Sequence, residues 1–232
     1  MFELLTLHTQ DLSDVPEYDG WLGDGEREVL AGLRFPKRRN DWRLGRWTAK
    51  QAILAFLRLE PDADLSLFEI RAAADGAPEA FLGNEPAGVA ISISHSGGRS
   101  FCAAGPPDAS PGCDIEQLEP RDALLSVDYF TPEEIELARE AAPENKILIT
   151  NLIWSAKESV LKALREGLRR DTRDVSIQPD FAGQDGRENG WNRWTGRCRQ
   201  TSREFQGRWR ADSRFVYTVT DDVPTVGKHP KL

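Results

Sequence analysis

Two acidic residues stand two positions apart in the segment Gly112-Cys113-Asp114-Ile115-Glu116. On a β-strand, residues two apart point to the same face, so Asp114 and Glu116 project side by side while Cys113 and Ile115 face the core. Adjacent carboxylates repel each other, and Mg²⁺ relieves that repulsion because its hard charge prefers oxygen ligands. An exposed strand face with solvated acids fits the same pattern, so the pair alone leaves both interpretations open.

A second group lies in Trp154-Ser155-Ala156-Lys157-Glu158-Ser159-Val160-Leu161-Lys162. On a helix, Glu158 and Lys162 are neighbours on successive turns. With Lys157 they offer two cations and one carboxylate, the mix that a polyphosphate with bound metal needs, because Mg²⁺ takes one or two carboxylates plus phosphate oxygens. The alternative is an ordinary amphipathic helix with a surface ion pair.

A third segment, Ser94-His95-Ser96, ends a strand-like run and enters a Gly97-Gly98 turn. At such a turn, hydroxyl groups, exposed backbone N–H groups and an imidazole can donate hydrogen bonds to a phosphate. A surface or capping histidine is the alternative. A Ser–His nucleophile pair is disfavoured, because adjacent residues on a strand point to opposite faces.

The fourth segment is a basic stretch from Pro36 to Lys50. It contains six cationic side chains: Lys37, Arg38, Arg39, Arg43, Arg46 and Lys50. Helical geometry places the last four along one stripe. In a chain with a net charge of −8, such a stripe is a candidate platform for an anion, or else a solvated helix face.

The pattern of helix and strand signals predicts an α+β fold of two similar halves packed together. Each half would place a long helix on a small, mostly antiparallel sheet, with boundaries at 1–110 and 111–223 and a loose tail at 224–232. The predicted helices run from Pro36 to about Leu59, from a Thr131 cap, and from about Asn145 to Glu166. The predicted strands cover residues 2–7, 67–72, 89–94, 100–104, 112–116, 175–177 and 215–219, those at 89–116 forming an antiparallel meander, and a polar loop covers 183–190.

Composition narrows the function further. The chain has 232 residues, with 30 Lys plus Arg against 38 Asp plus Glu. Net acidity disfavours generic nucleic-acid binding. We find no apolar run long enough for a membrane helix, no secretory signal, no repeat of 20–50 residues and only three cysteines without a CxxC pair. These features predict a cytoplasmic protein without a membrane partner, a disulfide framework or a structural zinc site.

The four segments, in their order along the chain, resemble the signatures of the 4′-phosphopantetheinyl transferases. The Ser94-His95-Ser96, Gly112–Glu116 and Trp154–Lys162 segments resemble three signatures of that superfamily, and more narrowly of its monomeric, double-length class. The basic stretch resembles the N-terminal basic helix of that class, and Asp75-Gly76-Ala77-Pro78 its Gly-x-Pro turn.

The resemblance implies transfer of the 4′-phosphopantetheine arm of coenzyme A to a serine of an apo acyl or peptidyl carrier protein, with release of adenosine 3′,5′-bisphosphate. It implies that Asp114, Glu116 and Glu158 hold Mg²⁺ (or Mn²⁺) against the pyrophosphate. Glu158 is also the implied base for the serine proton, and Lys157 and Lys162 the implied cations at the pyrophosphate.

The resemblance also implies a set of contacts to the rest of coenzyme A. His95, with Ser94, would meet the 3′-phosphate, while Arg46 and either Arg38 or Arg39 would add positive charge. The implied fold is a monomeric pseudo-dimer with the nucleotide in the cleft between its halves.

Two positions depart from the family pattern. Ala77 stands where some members carry a lysine near the 3′-phosphate, and Ser159 replaces a common alanine. Two other functions stay open: a Mg²⁺-dependent nucleotide phosphohydrolase, which needs no protein acceptor, and a non-catalytic module that binds coenzyme A or a carrier.

Overall fold

The computed structural model describes residues 4–181 and 190–220, in which helices and strands follow a similar order twice. The first series is β1 (Thr6–Asp11), α1 (Asp24–Gly32), α2 (Pro36–Leu57), β2 (Phe68–Ala72), β3 (Pro78–Leu82), β4 (Glu85–Pro86), β5 (Ala90–Ser96) and β6 (Arg99–Gly105). The second is β7 (Cys113–Gln117), α3 (Ala123–Tyr129), α4 (Pro132–Glu140), α5 (Lys146–Ala163), β8 (Val175–Pro179), β9 (Asn192–Cys198), β10 (Glu204–Ala211) and β11 (Phe215–Thr220). In each series a strand and then a short helix precede a long helix and a run of strands; the second series has one more short helix, α3, and one strand fewer.

The strands form three antiparallel sheets, ordered β1-β6-β5, β2-β3-β4 and β7-β11-β10-β9-β8. The long helix α2 packs on β1, β5 and β6, and α5 packs on β7, β8 and β11. The α+β class with long helices on antiparallel sheets is therefore confirmed. The pseudo-dimer and the division at residues 110 and 111 stay predictions, which the shared order of elements supports. Among the described residues, no helix combines the length and the apolar character needed to cross a membrane.

The predicted three-strand meander is wrong at its third strand. β5 and β6 pair as expected, but β7 pairs with β11, with Asp114 opposite Thr218. β6 already has β1 on its other edge, so neither of its edges is open to β7.

Local signals set the starts of α2 and α4 correctly. Pro36 occupies the first turn of α2, and α4 begins with a capping box in which Thr131 and Glu134 bond each other's backbone N–H. Helix α5 ends at Ala163, somewhat before the predicted Glu166. The predicted strand residues 2 and 3, the loop at 183–189 and the tail at 224–232 lie outside the described residues.

A fully buried lysine–glutamate pair ties the two helices of the first half together. Lys50 Nζ on α2 lies 2.5 Å from Glu26 Oε2 on α1 and donates to the carbonyl oxygens of Trp21 and Leu65 at 2.9 and 3.1 Å. Glu26 in turn accepts from the backbone N–H groups of Gly23 and of Ile70 on β2. These partners offset the cost of removing both charges from water.

The second half contains the same arrangement. Lys157 Nζ on α5 lies 2.8 Å from Glu134 Oε2 on α4 and donates to the carbonyl oxygens of Thr172 and Val175. Glu134 accepts from the N–H groups of Thr131, before α4, and Ile177, on β8. In each half the glutamate is the third residue of the short helix, and the pair also fixes the first strand after the long helix.

The sequence around the two lysines repeats. Trp47-Thr48-Ala49-Lys50-Gln51-Ala52-Ile53-Leu54 corresponds to Trp154-Ser155-Ala156-Lys157-Glu158-Ser159-Val160-Leu161. Trp, Ala, Lys and Leu are identical in the two copies, and the other four positions exchange similar residues. This similarity differs from a repeat with a period of 20–50 residues, because its two copies begin at Trp47 and Trp154.

β7 begins where the backbone runs directly against α5. A Cβ atom on Gly112 would lie 1.9 Å from the carbonyl oxygen of Ser159 and 2.9 Å from the amide nitrogen of Ala163. The amide of Gly112 donates to Thr220 Oγ1 at 2.9 Å, which ties this point to β11 as well. The absence of a side chain at Gly112 therefore sets the separation between β7 and α5, the elements that carry the acidic residues discussed below.

We predict that Gly112→Ala destabilises the fold by about 3 kcal/mol, because backbone rather than a flexible side chain must move. The free energy of unfolding in urea measures this. Gly32→Ala is the matched control: its Cβ would meet no heavy atom of the described residues within 4 Å, so we expect no loss of stability. Equal stability of the two variants would contradict the close approach.

We also predict that Lys157→Met lowers the free energy of unfolding by about 3–5 kcal/mol, because Glu134 is left buried without its counter-charge. Lys50→Met has the same effect in the first half for the same reason. Lys146→Met, at an exposed position at the start of α5, is the control and changes stability by less than about 0.5 kcal/mol. A Lys157→Met variant as stable as this control would contradict a structural role for the pair.

Candidate functional site

A row of serines on one face of β5 binds β7. Ser92 Oγ accepts from the Cys113 amide at 3.0 Å, and Ser94 Oγ donates to Asp114 Oδ1 at 2.6 Å. Ser96 Oγ lies 3.3 Å from Glu116 Oε2. Because residues two apart share a face, these hydroxyls join the two halves of the chain along one line.

Lys162 on α5 holds Asp114 from the other side. Its Nζ lies 2.6 Å from Asp114 Oδ1 and 3.1 Å from the carbonyl oxygen of Cys113. Burial disfavours the charged ammonium, but attraction by Asp114, Cys113 and Glu158, together with the hydrogen bond to Asp114, outweighs that effect and raises the pKa of Lys162. The predicted proximity of the strand carboxylate and the helix lysine is therefore present in the structure.

Glu116 is held by groups from two directions. Trp154 Nε1 donates to Glu116 Oε1 at 2.8 Å, and Arg121 Nη2 lies 2.8 Å from Glu116 Oε2. Asn151 accepts from Arg121 Nε at 2.7 Å and so fixes the guanidinium. Burial and repulsion by Asp114 raise the pKa of Glu116 in spite of Arg121.

Glu158 lies one helical turn before Lys162 and interacts electrostatically with the carboxylates of Asp114 and Glu116 on β7. Burial raises the pKa of Glu158 to about 7; attraction by Lys162 opposes the shift, and repulsion by Asp114 and Glu116 adds to it. A carboxylate with a pKa near neutrality is a competent proton acceptor at physiological pH.

The chemistry of this donor set fits a hard divalent cation. The set offers carboxylate oxygens from a strand and a helix, and Asp114 Oδ2 is buried without a hydrogen-bond partner among the described residues. Within residues 4–181 and 190–220, however, no group of three His, Cys, Asp or Glu side chains is arranged to hold a metal ion. Instead Lys162 and Arg121 pair with Asp114 and Glu116, so the predicted metal centre stays a prediction.

The other face of β5 lines a cavity of about 580 Å³ against α2. Its wall includes Lys37, Arg38, Arg46 and His95, together with Gly76 and Pro78 of the turn between β2 and β3. The Arg46 guanidinium stacks 4.4 Å from the centre of the Trp42 ring. Arg46 Nε is buried without a hydrogen-bond partner among the described residues, so this cavity offers positive charge to a ligand.

The pKa values of Arg46 and His95 in the cavity are both lowered, which disfavours the charged forms of these side chains. Burial lowers the pKa of Arg46, with Glu26 opposing the shift. Removal of the ring from water lowers the pKa of His95, although Asp41 favours its protonated form. An anionic ligand in the cavity would reverse both shifts, because it stabilises the cations.

Of the four side chains in the predicted cationic stripe of α2, Arg46 lines the cavity and the other three bind groups of the first half. Arg39 donates to the carbonyl oxygens of Leu30 and Leu33 at the end of α1, and Arg43 pairs with Asp19. Lys50 is buried on Glu26. Of the two arginines proposed as alternatives, Arg38 lines the cavity and Arg39 does not, because the end of α1 occupies its guanidinium.

Two other predicted ligand contacts are corrected by the structure. Lys157 is excluded from solvent and bound to Glu134 and to backbone carbonyls, so its charge serves the fold and not a pyrophosphate. Ser94 lies on the face of β5 opposite His95 and donates to Asp114, so it does not join His95 in the cavity.

Arg121 and the indole of Trp154 are the contacts to Glu116 that the sequence reading did not assign. Trp154 precedes Glu158 by one helical turn, and this spacing is the signal in the sequence that could have identified it. Arg121 follows β7 as a single cation in an acidic, irregular stretch, and no local pattern distinguishes it.

Comparison with known proteins supports the resemblance. Residues 110–219 match the family model of the 4′-phosphopantetheinyl transferase superfamily. Over 150 residues the chain is 31% identical to the 4′-phosphopantetheinyl transferase HetI of Nostoc sp., a match that covers 62% of this chain and 60% of the relative. The chain thus spans well under two thirds of the length of the curated relative that it matches.

Among solved structures, the holo-acyl-carrier-protein synthase of Thermotoga maritima matches at 17% identity with a TM-score of 0.37, covering 54% of this chain and 74% of that one. The family match contains Asp114, Glu116, Glu158 and Lys162, the residues that the structure brings together at β7 and α5. The resemblance to the 4′-phosphopantetheinyl transferase superfamily is thus confirmed over residues 110–219.

Proposed function

We propose that this chain is an enzyme that transfers the 4′-phosphopantetheine arm of coenzyme A to a serine of an apo acyl or peptidyl carrier protein. The products are the holo carrier and adenosine 3′,5′-bisphosphate. The superfamily match of residues 110–219 and the similarity to HetI support the class of reaction.

The observation that carries the proposal is the position of the cationic cavity beside the acidic group. Gly76, Pro78 and Ile93 line the cavity of His95 and also a second cavity of about 320 Å³, whose wall contains Lys162. The two cavities therefore adjoin each other, and we treat them as one cleft. Coenzyme A carries phosphate in two places, the 3′-phosphate and the pyrophosphate, and the cleft offers cations at two corresponding places.

We assign Arg38, Arg46 and His95 to the nucleotide end of coenzyme A. The buried Arg46 Nε and the stacked guanidinium are suited to a phosphate or a ring, since an arginine offers fixed N–H groups and a flat face. Lys162 is then assigned to the pyrophosphate, next to Asp114.

In the proposed reaction the carrier serine oxygen attacks the phosphorus atom that bears the pantetheine arm. The bond between this phosphorus and the bridging pyrophosphate oxygen breaks, and the nucleotide leaves with the electron pair. Glu158 accepts the serine proton, and Lys162 stabilises the negative charge that develops on the pyrophosphate oxygens. Trp154 and Arg121 keep Glu116 in place beside this group.

Asp114, Glu116 and Glu158 are the residues that would hold Mg²⁺ or Mn²⁺. A bound divalent cation supplies charge stabilisation at the phosphate oxygens. The carboxylates and Lys162 position that charge, and the serine row of β5 holds Asp114 at its place.

The decisive experiment combines the protein with coenzyme A, Mg²⁺ and a panel of apo carriers, and follows carrier mass. We expect a gain equal to one phosphopantetheine arm. Glu158→Gln removes the base and lowers the transfer rate about 10²- to 10⁴-fold. Glu133→Gln on α4 is the matched control and leaves the rate unchanged.

Other outcomes of this experiment identify the competing functions. Cleavage of coenzyme A without any carrier would identify a phosphohydrolase. Binding of coenzyme A without a mass gain on any carrier would identify a binding module. Full transfer by Glu158→Gln would exclude its role as base.

A further prediction concerns His95. Replacing His95 with Ala removes a contact to the 3′-phosphate, so KM for coenzyme A rises about tenfold or more, as expected for a hydrogen bond to a charged group. KM for dephospho-coenzyme A is the matched comparison and changes little. Steady-state kinetics with both substrates measures the difference, and an equal rise for both would contradict the assignment.

A further inference from the structure

Two arginines just beyond α5 bind the turn between β2 and β3 in the other half of the chain. Arg165 Nε and Nη2 donate to the two carboxylate oxygens of Asp75 at 2.8 and 3.2 Å, and Nη2 also lies 2.7 Å from Glu79 Oε1. Arg169 Nη1 donates to the carbonyl oxygen of Asp75 at 2.7 Å. We call these four residues the cross-cleft latch.

Arg165 occupies a backbone conformation that side chains disfavour. Its φ is 57°, in the left-handed region where glycine is the usual residue after a helix. The forked bond to Asp75 requires a long cationic side chain at this position, which a glycine cannot supply. The contacts across the cleft therefore offset a local strain.

The carboxylate of Asp75 also shapes the turn itself. Asp75 Oδ1 accepts from the Ala77 amide at 3.0 Å, and Gly76 follows with a φ of 84°. The Arg165 guanidinium holds the pKa of Asp75 at about 2, so this carboxylate is charged throughout the neutral range. One side chain thus fixes both the shape of the turn and its attachment to the second half.

The turn and the latch border the cleft assigned to coenzyme A. Gly76 and Pro78 line the cavity of His95, and both also line the neighbouring cavity together with Lys162, Arg165 and Arg169. A movement of the turn changes the width of the cleft between the cations of the first half and Lys162 of the second.

We propose that Arg165 is a positioning residue for coenzyme A: by latching Asp75 across the cleft, it holds the turn of residues 75–78 at the separation at which both ends of the ligand meet their cations. The identity of the ligand rests on the proposed function. The attachment of the turn does not.

Two measurements test this proposal on the full chain. Hydrogen–deuterium exchange at the amides of residues 73–77 reports the attachment of the turn without ligand, and coenzyme A binding and kinetics report its consequence. The variants are Arg165→Ala, Arg165→Lys, Asp75→Asn and the double variant of Ala at 165 with Asn at 75. Asn at 75 keeps an acceptor for the Ala77 amide while removing the charge.

For Arg165→Ala we expect exchange in the turn to rise about 3- to 10-fold, with a similar rise in Kd and KM for coenzyme A. We expect kcat to stay within about twofold and the melting temperature to stay close to that of the wild type, because exposed ion pairs add little global stability. Arg165→Lys recovers part of the loss. In the double variant, exchange in the turn and Kd for coenzyme A rise no further than in the more affected of the two single variants, because Arg165→Ala and Asp75→Asn remove the same contact.

The matched control is Arg139→Ala, which removes an exposed arginine paired with Glu136 within α4 and leaves exchange and binding unchanged. Unchanged exchange in Arg165→Ala overturns the latch whatever the ligand. Faster exchange with unchanged coenzyme A affinity overturns the positioning role. A wild-type chain that binds no coenzyme A overturns the proposed function, and with it the ligand named here, while the exchange result still decides the latch.

Discussion

The interaction on which both halves depend is the buried pair of a lysine on the long helix and a glutamate on the short helix. In the second half, the charge of Lys157 is met by Glu134 and two backbone carbonyls, so the rotation of α5 about its axis is fixed at this residue. Successive helical residues point about 100° apart. Fixing Lys157 towards α4 therefore directs its neighbour Glu158 towards β7, and Lys162 lies one turn further on the same side.

The first half contains the buried lysine–glutamate pair, but its long helix carries no counterpart of Glu158 or Lys162. At the positions that correspond to Glu158 and Lys162 in the repeat, α2 carries Gln51 and Ala55. Its cationic side chains Arg38 and Arg46 face the cavity instead. One architectural unit thus serves two tasks under the proposed function: the anchored helix of the first half binds the nucleotide, and that of the second half carries the reacting groups.

The sequence predicted what depends on near neighbours, such as the start of α2 at Pro36 and the capping box of α4. It also placed Asp114 and Lys162 in one group through the resemblance. It could not show that Lys157 is buried, because an adjacent Lys-Glu pair on a helix looks the same whichever side faces the core. β9 and β10 were missed for a physical reason: the core positions Gly196 and Gly207 are glycines that make room for the Trp194 ring, so the apolar alternation is interrupted.

The charges at β7 and α5 indicate what the site requires from a ligand. Asp114, Glu116 and Glu158 together can carry three negative charges, against one positive charge each on Lys162 and Arg121. A pyrophosphate approaching this group meets a net negative charge, which is costly where burial weakens solvent screening. A divalent cation would reverse the sign of that charge, and Asp114 Oδ2, which has no hydrogen-bond partner within the described part of the chain, is an oxygen available to it. The ion pairs in the structure therefore neutralise most of the acidic charge while leaving one carboxylate oxygen open. Under the proposed function, this arrangement lets the site stay folded before a cation and the anionic substrate bind.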